Sequence, residues 1–183
     1  LTAGHDEYWT GNQRANVEAA RNAGVSMTFF TGNEVFWKTR FGPSSDGTNT
    51  AGRTLTSYKE THFASPVDPQ EPAVWTGTFG DPRWSPPADG GRPQNALTGQ
   101  FFQVNSGTSD IRVPATYKNL RFWRNTQVAS LTAGQTLTLD PGAGTLGYEW
   151  DVDVDNGFRP PGLFHLSSTT VSGVEKFTDF GST

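Results

Sequence analysis

His5 and Glu7 stand two residues apart in the run Gly4–Trp9, where an imidazole and two carboxylates are set against two aromatic rings. Holding such groups beside apolar side chains costs free energy unless the charges are paired or engaged by a ligand. In an extended chain, residues two apart project from one face. His5 and Glu7 can therefore converge on a substrate or a metal while Asp6 turns toward the scaffold. The histidine would then exchange protons near neutral pH. A plainer reading gives Asp6 or Glu7 to the first turn of the following helix, through its dipole and free N–H groups, and leaves His5 hydrogen-bonded in the core.

Asn33 follows Gly32 at the end of an apolar run, where a side-chain amide can donate to a carbonyl oxygen or a developing oxyanion, or serve as an ordinary turn residue. Glu149 lies between Tyr148 and Trp150, surroundings that could suit it to proton transfer; in an alternating strand it would instead meet an arginine. Asp151, Asp153 and Asp155 precede Asn156-Gly157 and resemble the start of a calcium loop. The glycine falls one place late and Gly162 stands where an EF-hand needs glutamate, which leaves at most an irregular calcium site. His62 and His165 have no neighbouring ligand at metal-site spacing and read as structural. No Gly-Xaa-Ser-Xaa-Gly elbow or phosphate-binding glycine loop is present.

The elements that must position these groups begin with a helix. Thr10 and Gln13 have capping-box spacing, and Gly24 sits where a left-handed cap is wanted, so the spacing predicts a helix over about 11–23. Ala15, Val17, Ala19 and Ala20 would form its small apolar face, with Arg14, Asn16, Glu18 and Arg21 on the polar side. Residues 25–30 read as a buried strand stopped by Thr31-Gly32-Asn33, and 34–40 as another short helical segment. The order strand end, helix, strand, helix over 1–40 is a βαβ core. Such a core implies a parallel sheet with ligands bound beyond the carboxyl ends of its strands, where both polar clusters fall.

Residues 41–100 form a loop-rich excursion with a strand-like stretch at 53–59 and aromatic anchors Trp75, Phe79 and Trp84, whose default role is packing. Residues 101–183 are a strand-rich return to the sheet, with short strands at 101–104, 120–123, 136–139, 145–151 and 163–168. A length of 183 residues suits a single domain. A doubly wound sheet needs more strands than the chain supplies, and its first strand is already ending at residues 1–4, so the sheet is expected to be incomplete.

A net charge of −4, from 14 Lys plus Arg against 18 Asp plus Glu, offers no broad positive field for nucleic acid or an anionic membrane. No apolar run approaches the ~20 residues of a membrane span. The absence of cysteine removes disulfides, zinc–thiolate sites and a cysteine nucleophile. With 21 glycines, 12 prolines and six tryptophans, the composition leans toward a secreted or extracellular protein.

The motif Gly4-His5-Asp6-Glu7-Tyr8-Trp9, the helical Asn16-Val17-Glu18-Ala19-Ala20 and the stretch 29–37 resemble, in order and spacing, the family of C-terminal domains found in N,N-dimethylformamidase large (beta) subunits. The resemblance continues through Tyr58-Lys59-Glu60, Asp81-Pro82-Arg83, residues 92–99 and 147–151, covers nearly the whole chain, and is closest to uncharacterised secreted multidomain relatives. It implies an α/β domain of the glutamine-amidotransferase-like (flavodoxin-like) kind, with a parallel sheet incomplete at both ends and a long loop- and strand-rich insertion. It also implies a mononuclear iron held by two tyrosines and a glutamate, activating water for amide hydrolysis.

By motif, the resemblance places the metal-binding glutamate at Glu7, a proton-transfer or orienting histidine at His5, the site asparagine at Asn33 and a further active-site glutamate at Glu149. The tyrosines of the pattern belong upstream of the His-Asp-Glu motif. Tyr8, Tyr58, Tyr117 and Tyr148 do not occupy those places, so the remainder of the polypeptide is expected to complete the site. The leading expectation is hydrolysis of a small linear amide by the intact protein, with the fragment alone inactive. Its rival is a non-catalytic extracellular module that binds carbohydrate through Trp75, Trp84 or Trp123, or a structural domain in which His5, Glu7 and Asn33 do not converge.

Overall fold

The computed structural model of the chain describes residues 1–59, 67–70, 74–82 and 91–180. His62 and Trp84 lie outside the described residues. The chain divides into two compact units, the first comprising Leu1–Gln103, Asp151–Pro160 and Thr178–Thr183, the second Val104–Trp150 and Pro161–Phe177.

The first unit opens with strands β1 (Thr2–Ala3) and β2 (Tyr8–Thr10) and helix α1 (Gly11–Asn22). Thr10 is the N-cap, its Oγ1 accepting the N–H of Gln13 at 3.1 Å. The helix ends in a Schellman motif: Val25 N–H donates to Ala20 C=O at 3.0 Å and Gly24 N–H to Arg21 C=O at 2.9 Å, with Gly24 at φ +92°. Both ends agree with the sequence expectation, but the buried face does not. Ala15 and Ala19 are exposed, whereas Arg14 is fully buried. Its guanidinium lies 4.8 Å from the Phe79 ring centroid, and its protons go to Glu18 Oε1 at 2.9 Å and to the carbonyls of Arg92 and Pro93.

The expected strand over 25–30 shrinks to β3 (Phe29–Phe30), which pairs in parallel with β1 over two residues, Thr2 opposite Phe29 and Ala3 opposite Phe30. The helix end takes up Val25, and Val25 and Phe30 are both exposed. The helical segment expected at 34–40 is instead extended chain leading into β4 (Trp37–Gly42). Residues 33–39 are buried without interruption, a pattern that suits a strand covered on both faces rather than an amphipathic helix. β4 lies between β2, in parallel (Tyr8 opposite Trp37), and β5 (Thr54–Thr56), antiparallel (Phe41 opposite Leu55).

Further on are α2 (Asn95–Thr98), β6 (Phe101–Val104) and, after the second unit's main segment, β11 (Trp150–Val152), which pairs with β6. Trp9, Val35, Phe79 and Leu97 form one core cluster, with Val17 and Phe29 packed against it. Phe36 packs edge-on against Trp37 and Phe102. Trp75 and Phe79 are fully buried packing anchors, as expected of them. The architecture is thus mixed α/β, but among the described residues the sheets are small, with parallel pairing at β1·β3 and β2·β4 and antiparallel pairing at β4·β5 and within the second unit. A flavodoxin-like parallel sheet is not what the described strands build.

The second unit contains β7 (Thr108–Ser109), β8 (Arg112–Pro114), β9 (Thr136–Thr138) and β10 (Leu146–Gly147), paired antiparallel as β7·β10 and β8·β9. Leu120–Trp123, expected as a strand, instead contains a 3-10 turn at Arg121–Trp123, because the Trp123 indole turns inward to donate to Leu166 C=O at 2.9 Å. The expected strand over 163–168 is irregular, and that over 145–151 is broken at Tyr148, whose φ is +71°. Val113, Trp123 and Val128 form the core, covered by Ile111, Tyr117, Leu120, Leu131, Leu137, Leu139 and Leu166.

Candidate functional site

In the first unit the backbone brings the two polar clusters together. Asp6 C=O accepts the N–H of Val35 at 3.0 Å, and Glu7 C=O accepts those of Phe36 at 3.1 Å and Trp37 at 2.7 Å. Running these segments side by side places Asn33 Nδ2 3.1 Å from Glu7 Oε2, to which it donates. Asn33 is 2% exposed, and its Oδ1 is buried without a hydrogen-bond partner. Its own N–H donates to Asp151 Oδ1 at 2.8 Å.

The turn that presents Asn33 is strained. Asn33 has φ +55°, tolerable for asparagine, but Val35 has φ +58°, which a β-branched side chain adopts only under constraint, at a cost of about 1–3 kcal/mol. Glu34, between them, is 1% exposed with Oε2 buried and unpartnered. Burial first, then the neighbouring Asp151 carboxyl and the charge of Asp6, push the Glu34 pKa up to about 9. Burial also raises Asp151, to about 6, against hydrogen bonds from Glu34 and the Asn33 N–H and the charge of His5, all of which hold it down. Burial thus favours a proton held between the two carboxyls, which titrate as a pair.

Glu7 and Asn33 are thus in contact, and His5, exposed at the start of the motif, is close enough for its charge to act on Asp151. Glu149 lies in the second unit, half-buried in the turn between β10 and β11. Glu34, read from the sequence only as Asn33's companion in a polar cluster, and Asp151 are the buried carboxyls that the choice of site residues left out. Glu34 precedes the apolar run Val35-Phe36-Trp37, a sign that its carboxyl would be drawn inward. Asp151 was legible only as a possible calcium ligand. Asp153 and Asp155, its companions there, are clamped by Arg159, whose Nη1 donates to both Asp153 oxygens at 3.0 and 2.8 Å and Nη2 to Asp155 Oδ2 at 2.9 Å.

Among the described residues no group of three or more His, Asp or Glu side chains is disposed to hold a metal ion. Glu7 fits as a single carboxylate ligand, and the described residues do not complete a site around it. Trp75 and Trp123, expected as stacking faces for a sugar, are packed inside their units.

A family model described as N,N-dimethylformamidase beta subunit-like, C-terminal, matches residues 1–182. No curated protein and no solved structure matches the chain.

Proposed function

The chain belongs to the N,N-dimethylformamidase beta subunit-like, C-terminal family, and on that premise we propose that it is part of a secreted metal-dependent hydrolase that cleaves the C–N bond of a small linear amide. The observation that carries the reading is the Asn33 amide held on the Glu7 carboxylate at 3.1 Å, which joins two motifs 26 residues apart. The finer fold is part of the same proposal: a glutamine-amidotransferase-like parallel sheet in the intact domain.

Glu7 is the carboxylate offered to an iron, with two tyrosines supplied by the remainder of the polypeptide. Iron bound there supplies carbonyl polarisation and acidified water. Asparagine has two amide protons, so Asn33 can hold Glu7 with one and orient the substrate carbonyl with the other. His5 takes a proton from the attacking water and returns it to the departing nitrogen, so that amide and water become acid and amine. Glu34 and Asp151 keep Asn33 in its left-handed turn.

The test is metal content and amide hydrolysis of the whole protein, purified without chelator, beside its Glu7→Ala and Asn33→Ala variants. Expected are iron near one equivalent, its loss in Glu7→Ala, and retained iron with hydrolysis slowed about 100-fold or more in Asn33→Ala. Iron-free protein in every case would overturn the reading.

A further inference from the structure

The second unit carries a groove unconnected with amide chemistry. Leu120, Phe122, Phe164 and Leu166 line it together with Arg121 and Arg124, around a volume of about 600 Å³. That is the size of a small-molecule site, typically about 300–1,000 Å³. Phe122 is 63% exposed and Phe164 68%, an unusual investment of phenyl surface in water for a small unit.

The walls are built on fixed parts. Phe122 packs edge-on against Trp123 with ring centroids 4.8 Å apart, Trp123 belongs to the unit's core, and its indole N–H anchors the backbone of Leu166. The apolar surface is therefore held open by the fold.

Charge states what the groove would take. The stretches that supply its lining, residues 111–139 and 161–174, contain Arg112, Lys118, Arg121 and Arg124 but no Asp or Glu. Among the described residues neither Arg121 nor Arg124 has a carboxylate partner, and both are exposed. Two of the nearby acids in sequence are committed elsewhere. Asp110 accepts the N–H groups of Gly142 and Gly144, and Glu175 accepts from Asn105. Two guanidinium groups beside two phenyl rings match an anion on an apolar body, because a carboxylate takes the guanidinium fork while aryl or acyl carbons cover the rings.

We propose that this groove binds a small amphipathic carboxylate, with Arg121 and Arg124 holding the anionic end and Phe122 and Phe164 the aryl or acyl body.

The test is fluorescence titration of the chain with 8-anilinonaphthalene-1-sulfonate, a fluorescent anion on an aryl body, and with its uncharged analogue N-phenyl-1-naphthylamine. Dodecanoate and dodecanol serve as competitors. Expected is saturable binding of the anionic dye, displaced by dodecanoate at concentrations where dodecanol has no effect. Two modest charge contacts correspond to an affinity loss of about tenfold, so Arg121→Gln with Arg124→Gln should weaken the anionic dye by that factor and leave the neutral one unchanged. Phe164→Ser, at an exposed position, should weaken both dyes without changing the circular dichroism. The inference fails if the two dyes bind equally well, if the double arginine variant binds the anion as the parent does, if Phe164→Ser leaves both dyes unaffected, or if no saturable binding is seen.

Discussion

The two units solve the problem of a small core in opposite ways. Among the described residues every buried polar or charged side chain, from Arg14 and Asn33 to Glu34, Asp68 and Asp81, belongs to the first unit. The buried residues named in the second unit's core are apolar, and its polar groups stay near the surface. Apolar burial is favourable almost regardless of partner, whereas a buried charge is tolerated only when its whole hydrogen-bonding environment is built around it. The Arg40–Asp68 pair shows such an environment. Arg40 Nε and Nη2 reach the two Asp68 oxygens at 2.8 and 3.2 Å, and Gln70 N–H and Thr76 Oγ1 donate to the same carboxylate. Burial alone would raise the Asp68 pKa, and these donors bring it below the usual value. The unit bearing the candidate site thus carries the electrostatic cost, and the other unit carries the plain packing.

The sharpest way to break that contrast is to remove a buried charge. Arg14→Ala should destabilise the first unit by about 3–5 kcal/mol, because Glu18 and the carbonyls of Arg92 and Pro93 lose their buried donor. Hydrogen exchange should quicken in peptides spanning 29–42 and stay unchanged in those spanning 111–139. Uniform acceleration would contradict the division.

Val113→Ala, in the apolar core, should cost about 2 kcal/mol from lost methyl groups and the cavity they leave. Denaturant titrations at pH 5 and pH 8 should return the same loss, since no titrating group is involved.

The remaining effect is in the proton shared by Glu34 and Asp151. Because the Glu34 pKa is raised, the folded chain binds more protons than the unfolded chain between the ordinary carboxylate range and about pH 9, and stability falls as pH rises through that window. Glu34→Gln should flatten this slope, so that its stability gains on the parent as pH rises from 5 to 8. Asp151, raised to about 6, leaves a residual slope at the acid end. Thermal unfolding across pH reads the difference, and parallel profiles would remove the shared proton.

Local features were legible because local physics decides them. The Thr10 cap and the Gly24 terminator settle α1 through bonds within a few residues, and Trp75 and Phe79 are large enough that burial is their default. The strand assigned to 120–123 failed for the converse reason: an alternating apolar pattern does not say that Trp123 will turn inward to Leu166, 43 residues away. The pairing of His5 and Glu7 with Asn33 was legible as a motif, and the structure puts Glu7 and Asn33 in contact.

By itself, then, the sequence determined the helix and its ends, the aromatic anchors and the motif residues of a dimethylformamidase-like domain. Each of these rests on neighbours within a few residues or on the identity of the side chain. Only the tertiary structure decided that Arg14 is core, that Asn33 and Val35 take positive φ, and that Glu34 meets an aspartate more than a hundred residues away. Those outcomes depend on which distant groups arrive to satisfy a buried charge, a quantity no window of sequence contains.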